Sequence, residues 1–494
     1  MGMFKRHREA SEEDQALPPL PEDAVMTIDQ ETPLLRLPSE ILHLIFCYLP
    51  CQSLISLGRT CRQLRALSQE DILWANLLRP NIPLKDYPHD PYPSSSYRDL
   101  YITHHPYWFL PRNKIWISDE PHTGRVMIVR FDPRRGCIEG YRLLAERSPS
   151  TGILWPYTPS VVIHNFQPRV HLWLDDPILK IPHDVLPFNS REGWWKAEIR
   201  MTLGSQGHHT SASFFLSRNI PERLQSKNME LWPPRTIPNM PRVRSASVDN
   251  FNGSGHKPQK YDEISQTTFR IRQWPFFGAG NAYFGFSIGE EVSTWSTLDP
   301  SLYTPTPEKP YQGIYVGDYA GHGCEFLVVM QTEKAPPPPP RLVRSSYFRA
   351  MIGLRNDDDP SDDELEDSES APGATSNSAH EDDGVHRGAI EAVKLTGDPN
   401  IPRGEHTFIA DDIGPAGLIR IAEEHPFRGA RVVKSRGHVA ARGFLNDEFI
   451  PSQLIMINHN KLAQYWVPFG HISFYERVDI DQLMDDTFRP GNRD

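Results

Sequence analysis

The chain has 494 residues, 38% of them hydrophobic, and a formal net charge of −11 at pH 7. That length suits roughly two or three domains. The acidic balance argues against a general nucleic-acid binder, whose phosphate contacts need a basic surface, and no apolar run approaches the length that spans a bilayer.

The first 33 residues are polar and contain several prolines, so a disordered tail is expected over 1–33. The stretch Met1-Gly2-Met3-Phe4-Lys5-Arg6-His7-Arg8 is followed by no apolar core, so no signal peptide is expected. Arg6 stands where myristoylation wants Ser or Thr. Five cysteines, three of them at Cys47, Cys51 and Cys61, fit a reducing compartment without a disulfide framework. The expected location is cytoplasm, nucleus or both.

Helical spacing begins at Leu37. Pro38 suits a first helical turn and Glu40 the positive end of a helix. Ile41, Leu42, Ile45, Phe46 and Leu49 then form one broad apolar stripe. Pro50 stops that helix and Ser53 is placed to cap a second one. Leu54, Leu57, Cys61 and Leu64 give the second helix its apolar face, and Ile72, Leu73, Trp74 and Leu77 supply a third. A segment of about 40 residues cannot bury this much apolar surface alone, so part of it must face the rest of the chain or a partner. His43, Cys47 and Cys51 are four residues apart, but Pro50 breaks the helix between them and no fourth ligand is near, so no metal is expected.

The order Leu37-Pro38-x-Glu40-Ile41-Leu42, then Leu54-x-x-Leu57, then Trp74 resembles an F-box over residues 34–80. The resemblance implies a helical module that docks onto a Skp-type adaptor and through it onto a cullin scaffold. It assigns adaptor binding to Leu37, Pro38, Ile41, Leu42, Ile45, Phe46, Leu49, Leu54, Leu57 and Trp74.

Beyond an aromatic-rich bridge at Tyr97–Trp108, the period becomes that of strands. Lys114–Ile117 and Arg125–Phe131 flank Pro121-His122-Thr123-Gly124, which reads as a hairpin. Arg169–Leu174 and Phe269–Arg272 alternate with period two. Gln453–Asn458 and Leu462–Val467 make another hairpin, and His471–Val478 a last strand. The β-rich body is expected over 97–334 and 389–480, as an antiparallel barrel or sandwich. Two insertions are expected to interrupt it. One, 218–262, is flexible and carries Arg242-Val243-Arg244-Ser245, a possible kinase motif. The other, 335–388, is Pro-rich, then acidic, and disordered. The fold class is therefore α+β and multidomain: a three-helix F-box, then an antiparallel β domain with two disordered insertions.

Three later segments carry a second resemblance. They are Gly313 to Glu325, with Tyr319, Gly321, His322 and Gly323; Val393 to Gly404, with Thr396-Gly397-Asp398-Pro399-Asn400-Ile401-Pro402; and Arg436 to Val478. Their order is similar to the substrate domain of F-box-only proteins that bind D-type cyclins, although Asp318 and Ala320 depart from the pattern. The resemblance implies a receptor for proteins bearing a short degron, cyclins among them. Its substrate-binding residues would be Tyr319, His322, Glu325, Thr396, Asp398 and Asn400. Asp398 has two readings, a cap on its own turn or an acceptor for a degron's N–H groups.

The common phosphate-loop, metallohydrolase and dithiol signatures are missing from the sequence. Gly317, Gly321 and Gly323 are followed by no Lys-Ser/Thr pair, and there is no His-Glu-x-x-His or Cys-x-x-Cys. The reading is a non-catalytic substrate receptor of a ubiquitin ligase, without cofactor, nucleic acid or membrane. The alternative is an enzyme or small-ligand binder whose F-box controls only its own turnover.

Overall fold

The computed structural model describes residues 33–149, 151–184, 198–203, 210–226, 229–238, 241–245, 257–274, 291–319, 323–337 and 384–489. The expected tail, most of the acidic insertion and His322 lie outside them. Two compact units divide the chain, residues 1–73 and 74–494.

The first unit holds α1 (Ser39–Phe46), α2 (Cys51–Leu57) and α3 (Arg62–Ser68), and α4 (Asp71–Leu78) carries the boundary. The single helix expected from Leu54 to Leu67 is two. Gly58 ends α2, and Cys61 starts α3 by accepting from the Leu64 N–H at 3.5 Å. Thr60 Oγ1 donates to Leu57 O (2.7 Å) and Arg65 Nε to Gly58 O (2.9 Å), so carbonyls released by the break are satisfied locally. Gly and Thr are weak helix formers, and here they mark the corner. Ser53 lies inside α2, whose N-cap is Pro50, so its expected capping role is not realised.

The second unit opens with α5 (Tyr97–His104), capped by Ser96 Oγ accepting from Asp99 N, and α6 (Phe109–Asn113). Trp74 and Trp108 pack their rings 5.7 Å and 6.2 Å from Tyr101. Thirteen strands follow in chain order before the barrel. They are β1 (Ile115–Ser118), β2 (Val126–Asp132), β3 (Cys137–Arg147), β4 (Gly152–Leu154), β5 (Val162–His164), β6 (Pro168–Trp173), β7 (Leu179–Ile181), β8 (Ile199–Leu203), β9 (Thr210–Arg218), β10 (Leu231–Trp232), β11 (Val243–Arg244), β12 (Ile264–Trp274) and β13 (Glu291–Thr297). Nine of them make one sheet in the order β6-β3-β2-β1-β13-β12-β9-β8, with β7 beside β3; β4 pairs only with β5, and β10 with β11.

Eight strands then close a barrel: β14 (Gly313–Asp318), β15 (Cys324–Thr332), β16 (Ala389–Lys394), β17 (His406–Ala410), β19 (Arg431–Ala441), β20 (Leu445–Asn458), β21 (Lys461–Trp466) and β22 (His471–Arg477), with β18 (Leu418–Ile421) added outside β19. The seam is β17 against β19, where Phe408 faces Gly437 and Ile409 faces Arg436. At Gly437 a Cβ would stand 2.3 Å from the Trp466 ring, so only glycine lets that ring lie against the seam. The choice between barrel and sandwich is settled as a barrel.

Period two explains the burial. In β14 and β15, Tyr315, Leu327 and Val329 point into the barrel with Phe408, Leu454 and Tyr475. Their neighbours Ile314, Val316, Phe326 and Val328 point outward and join Ile115, Ile117, Val126 and Ile128 of the first sheet. These barrel strands are covered on both faces, which is why they read as nearly continuous apolar runs. The segment 218–262, expected to be a flexible insertion, is packed in part where it is described. Trp232 is buried and donates to Ile117 O at 3.1 Å, and buried Arg242 donates to Pro233 O (3.1 Å) and Ile237 O (2.7 Å). Widely spaced apolar anchors hold a sequence whose average composition is polar. Ser245 of the candidate kinase motif donates to Asp119 Oδ2 at 2.7 Å.

Candidate functional site

The ten residues assigned to adaptor binding, nine in the first unit and Trp74 at the start of the second, divide by exposure. Leu42, Phe46 and Leu54 are buried and form core, so they do not offer the surface expected of them. Trp74 is buried as well; its ring takes Tyr101 on one side and the Arg98 guanidinium at 5.6 Å. Leu49 and Leu57 are half-buried. Leu37, Pro38, Ile41 and Ile45 are exposed, and Leu44 and Tyr48, which sequence reasoning passed over, are exposed beside them, Tyr48 by 83%. Ile41 and Ile45 are four residues apart in α1 and share one helical edge, while Leu37 and Tyr48 flank the two ends of the helix. The apolar spacing was legible in the sequence. Which half of the stripe turns inward was decided by packing.

In the barrel, the loops after β14, β16, β19 and β21 meet at one end. There they surround a cavity of about 360 Å³ lined by Tyr319, Lys394, Asp398, Asn400, Thr407, His438, Trp466, Phe469 and His471, among others. Three of the six expected substrate-binding residues, Tyr319, Asp398 and Asn400, are therefore brought to one cavity. Glu325 stands behind Lys394, and Thr396 is turned to the barrel wall, where its Oγ1 accepts from Phe326 N at 2.8 Å.

The floor is a buried charge cluster. Lys394 Nζ donates to Asp398 Oδ2 at 2.6 Å and lies 2.7 Å from Glu325 Oε2, the latter an ion pair without hydrogen-bond alignment. The three side chains are 1%, 6% and 4% exposed. Burial pushes the Glu325 carboxyl up to about 8, against the pull of Lys394, and the nearby Asp398 charge adds to the rise. Burial alone would raise Asp398 too. Lys394 and the N–H groups of Ile401 and Asn400 outweigh it and hold that carboxyl below its ordinary value. The two carboxylates thus divide one cation unequally, and the protonated form is favoured at Glu325 over Asp398.

Asp398 Oδ1 accepts from Asn400 N (2.6 Å) and Ile401 N (2.8 Å), and Asn400 Nδ2 donates to Ala440 O (3.0 Å). The carboxylate caps its own turn while contributing to the cavity floor. Gly397 does not have a positive φ. It is needed because a Cβ would stand 2.3 Å from Arg403 N and 2.4 Å from His122 O. That close approach clamps the turn onto the β1–β2 connection, with Gly397 N donating to Thr123 O at 2.7 Å.

The walls are aromatic. The Tyr319 hydroxyl meets Thr407 Oγ1 at 2.7 Å, its ring lies 4.2 Å from Lys394 Nζ, and burial raises the phenol well above its ordinary value. His438 stacks on Phe449 at 4.4 Å, with Nδ1 on His406 O (2.9 Å) and Nε2 on Asp447 Oδ2 (3.2 Å). Burial lowers His471, favouring its neutral form. Lys394, His438, Trp466 and His471 were not singled out in the sequence. The signal for Lys394 was present, a lone cation in the apolar strand Ala389–Leu395. Among the described residues, no group of three His, Cys, Asp or Glu side chains could hold a metal, and no helix is long and apolar enough to cross a membrane.

Comparison with known families places names on both regions. Residues 34–80 match the F-box-like family, and residues 295–482 match the cyclin D1 binding domain. The chain joins an F-box-like domain to a cyclin D1 binding domain. No curated protein matches it. The cyclin D1 binding domain takes in the whole barrel and its cavity, and ends within the first turn of the terminal helix Ile480–Phe488. The sheet built from β1 to β12 precedes it. The exposed stripe of α1 lies within the F-box-like domain.

Proposed function

We propose that this chain is a substrate-recognition subunit of a Skp–cullin–F-box ubiquitin ligase, without chemistry of its own, working in the cytoplasm or nucleus. The exposed stripe from Leu37 to Tyr48 docks the Skp-type adaptor. The cavity at the barrel end receives a short degron, and the proteins so presented are ubiquitinated and degraded. Cyclins are the first class of target to test, because the barrel matches a cyclin D1 binding domain.

The observation that carries this reading is the convergence of Tyr319, Asp398 and Asn400 on one cavity in a chain that also has an F-box-like domain. A volume of 360 Å³ is at the small end of ligand pockets, which run from about 300 to 1,000 Å³. It suits a few residues of a peptide. Lys394 is committed to Asp398 and Glu325, and His471 is held toward neutrality, so the lining favours an uncharged segment over a phosphorylated one.

The test is affinity purification of the full chain from cells under proteasome block. Wild type should retain adaptor and cullin and enrich short-lived proteins. Ala440→Phe, which fills the cavity, should keep the adaptor and lose those proteins. If wild type retains no adaptor, or if Ala440→Phe captures the same proteins, the reading fails.

A further inference from the structure

A hairpin outside both matched domains lies beside the connection that carries the cavity residue Phe469. Strands β4 and β5 pair Leu154 with Val162, and β5 runs beside β22. Its orientation is fixed at two points. Val161 Cγ2 comes within 3.8 Å of where a Gly470 Cβ would stand, in the connection that also carries the cavity residue Phe469. At the far end Lys461 Nζ donates to Phe166 O at 3.3 Å. The turn of the hairpin therefore lies at the open end of the barrel.

The hairpin is rigidly mounted. Trp155 is fully buried between Phe427 and Tyr465, at 5.9 Å and 4.9 Å, and its Nε1 donates to Glu424 Oε1 at 3.1 Å. Arg420 pairs twice with Glu424 (2.9 and 2.7 Å) and lays its guanidinium 3.8 Å over the Tyr157 ring. Yet much of it remains open to solvent: Leu154 is 67% exposed, Tyr157 49% and Val162 39%, and Val467 and the cavity residue Phe469 are exposed by 40% and 37%. From Ser148 to Ile163 the chain has no charged residue. An apolar surface held open in this way marks an interaction site.

We propose that this hairpin is a specificity element of the receptor, and that it takes an uncharged apolar or aromatic side chain from the part of the degron that trails out of the cavity. The proposal rests on the cavity being the degron site, and the occupant follows from continuity with it through Phe469. Because the hairpin is preorganised, the trailing side chain is bound at little ordering cost to the receptor.

The experiment selects a random peptide library, displayed on phage, on the full chain and on Leu154→Asp, Val162→Asp and Ala440→Phe, each checked by thermal melting. Wild type should enrich peptides with one short shared core and an apolar residue at a fixed distance from it. The hairpin variants should keep the core and lose the apolar preference. A synthetic peptide from the wild-type selection should bind them about tenfold more weakly, the loss expected for one buried apolar side chain. Ala440→Phe should lose core and flank together. Unchanged affinity in both hairpin variants, or a wild-type core with no apolar flank, overturns the hairpin's role and leaves the cavity reading standing. If wild type selects no core at all, the cavity reading falls and the hairpin proposal with it.

Discussion

The F-box-like helices and the barrel use apolar residues in opposite ways. In α1 the stripe is split, with Leu42 and Phe46 turned inward and Ile41, Leu44, Ile45 and Tyr48 left outside. In β14 to β16 both faces are covered and every strand residue but Cys324 and Thr332 is buried. A surface that docks a partner keeps its apolar area in water until the partner arrives. A barrel that positions a cavity hides its apolar area and places polar groups at one end. On the proposed function, the first region works through what it exposes and the second through what it buries.

The largest effect should come from Lys394→Met. It leaves Asp398 and Glu325 buried without their cation, and breaking such a cluster costs about 3–5 kcal/mol. Chemical denaturation should show a loss of that order for the cyclin D1 binding domain. A change below about 1 kcal/mol would mean the cluster is wetter than its burial indicates.

Next come paired substitutions in α1. Leu42→Ala removes a core side chain and should lower stability by about 2–5 kcal/mol. Ile41→Ala with Ile45→Ala should leave the melting temperature almost unchanged and weaken adaptor binding at least about tenfold. If the two results were exchanged, the division between inward and outward halves of the stripe would be wrong.

Asp398→Asn probes the overlap of structure and site. It keeps the shape but removes the charge that Lys394 and two backbone N–H groups converge on, so a loss of about 1–3 kcal/mol is expected by denaturant titration. Full stability with lost substrate capture would return Asp398 to a purely binding role.

The smallest effect, reckoned per pH unit, is a pH dependence. Glu325 has a folded pKa of about 8, above its ordinary carboxyl value, so its contribution is fully present below about pH 4.5. That contribution is lost as pH rises toward 8, at no more than about 1.4 kcal/mol per pH unit. Asp398, held below its ordinary value, acts in the opposite sense and matters only in acid. Glu325→Gln should therefore flatten the stability profile between about pH 5 and 8, with the variant gaining on wild type as pH rises. Parallel profiles for the two proteins would remove Glu325 as the proton carrier.

The elements that local chemistry dictates were readable from the chain. Pro38 and Pro50 stand as the N-caps of α1 and α2, and the Pro121–Gly124 turn joins β1 to β2 as the expected hairpin. The hairpin across His459–Lys461 formed as its spacing required. The corner at Gly58–Cys61 was also signalled by weak helix formers, but the apolar spacing through it is continuous and masked the break.

Other features depend on strands far apart in sequence. Lys394 is an ordinary charged residue until β15 brings Glu325 to it and its own loop brings Asp398. Gly437 is a glycine within a strand until β21 lays Trp466 across it. The hairpin at Gly152–His164 is a polar and apolar mixture of no clear purpose until β22 sets it beside the connection that carries Phe469. Periodicity reports which side chains share a face, because that depends only on backbone geometry. Which face is covered, and which charges must share a proton, depends on neighbours that only the closed barrel supplies.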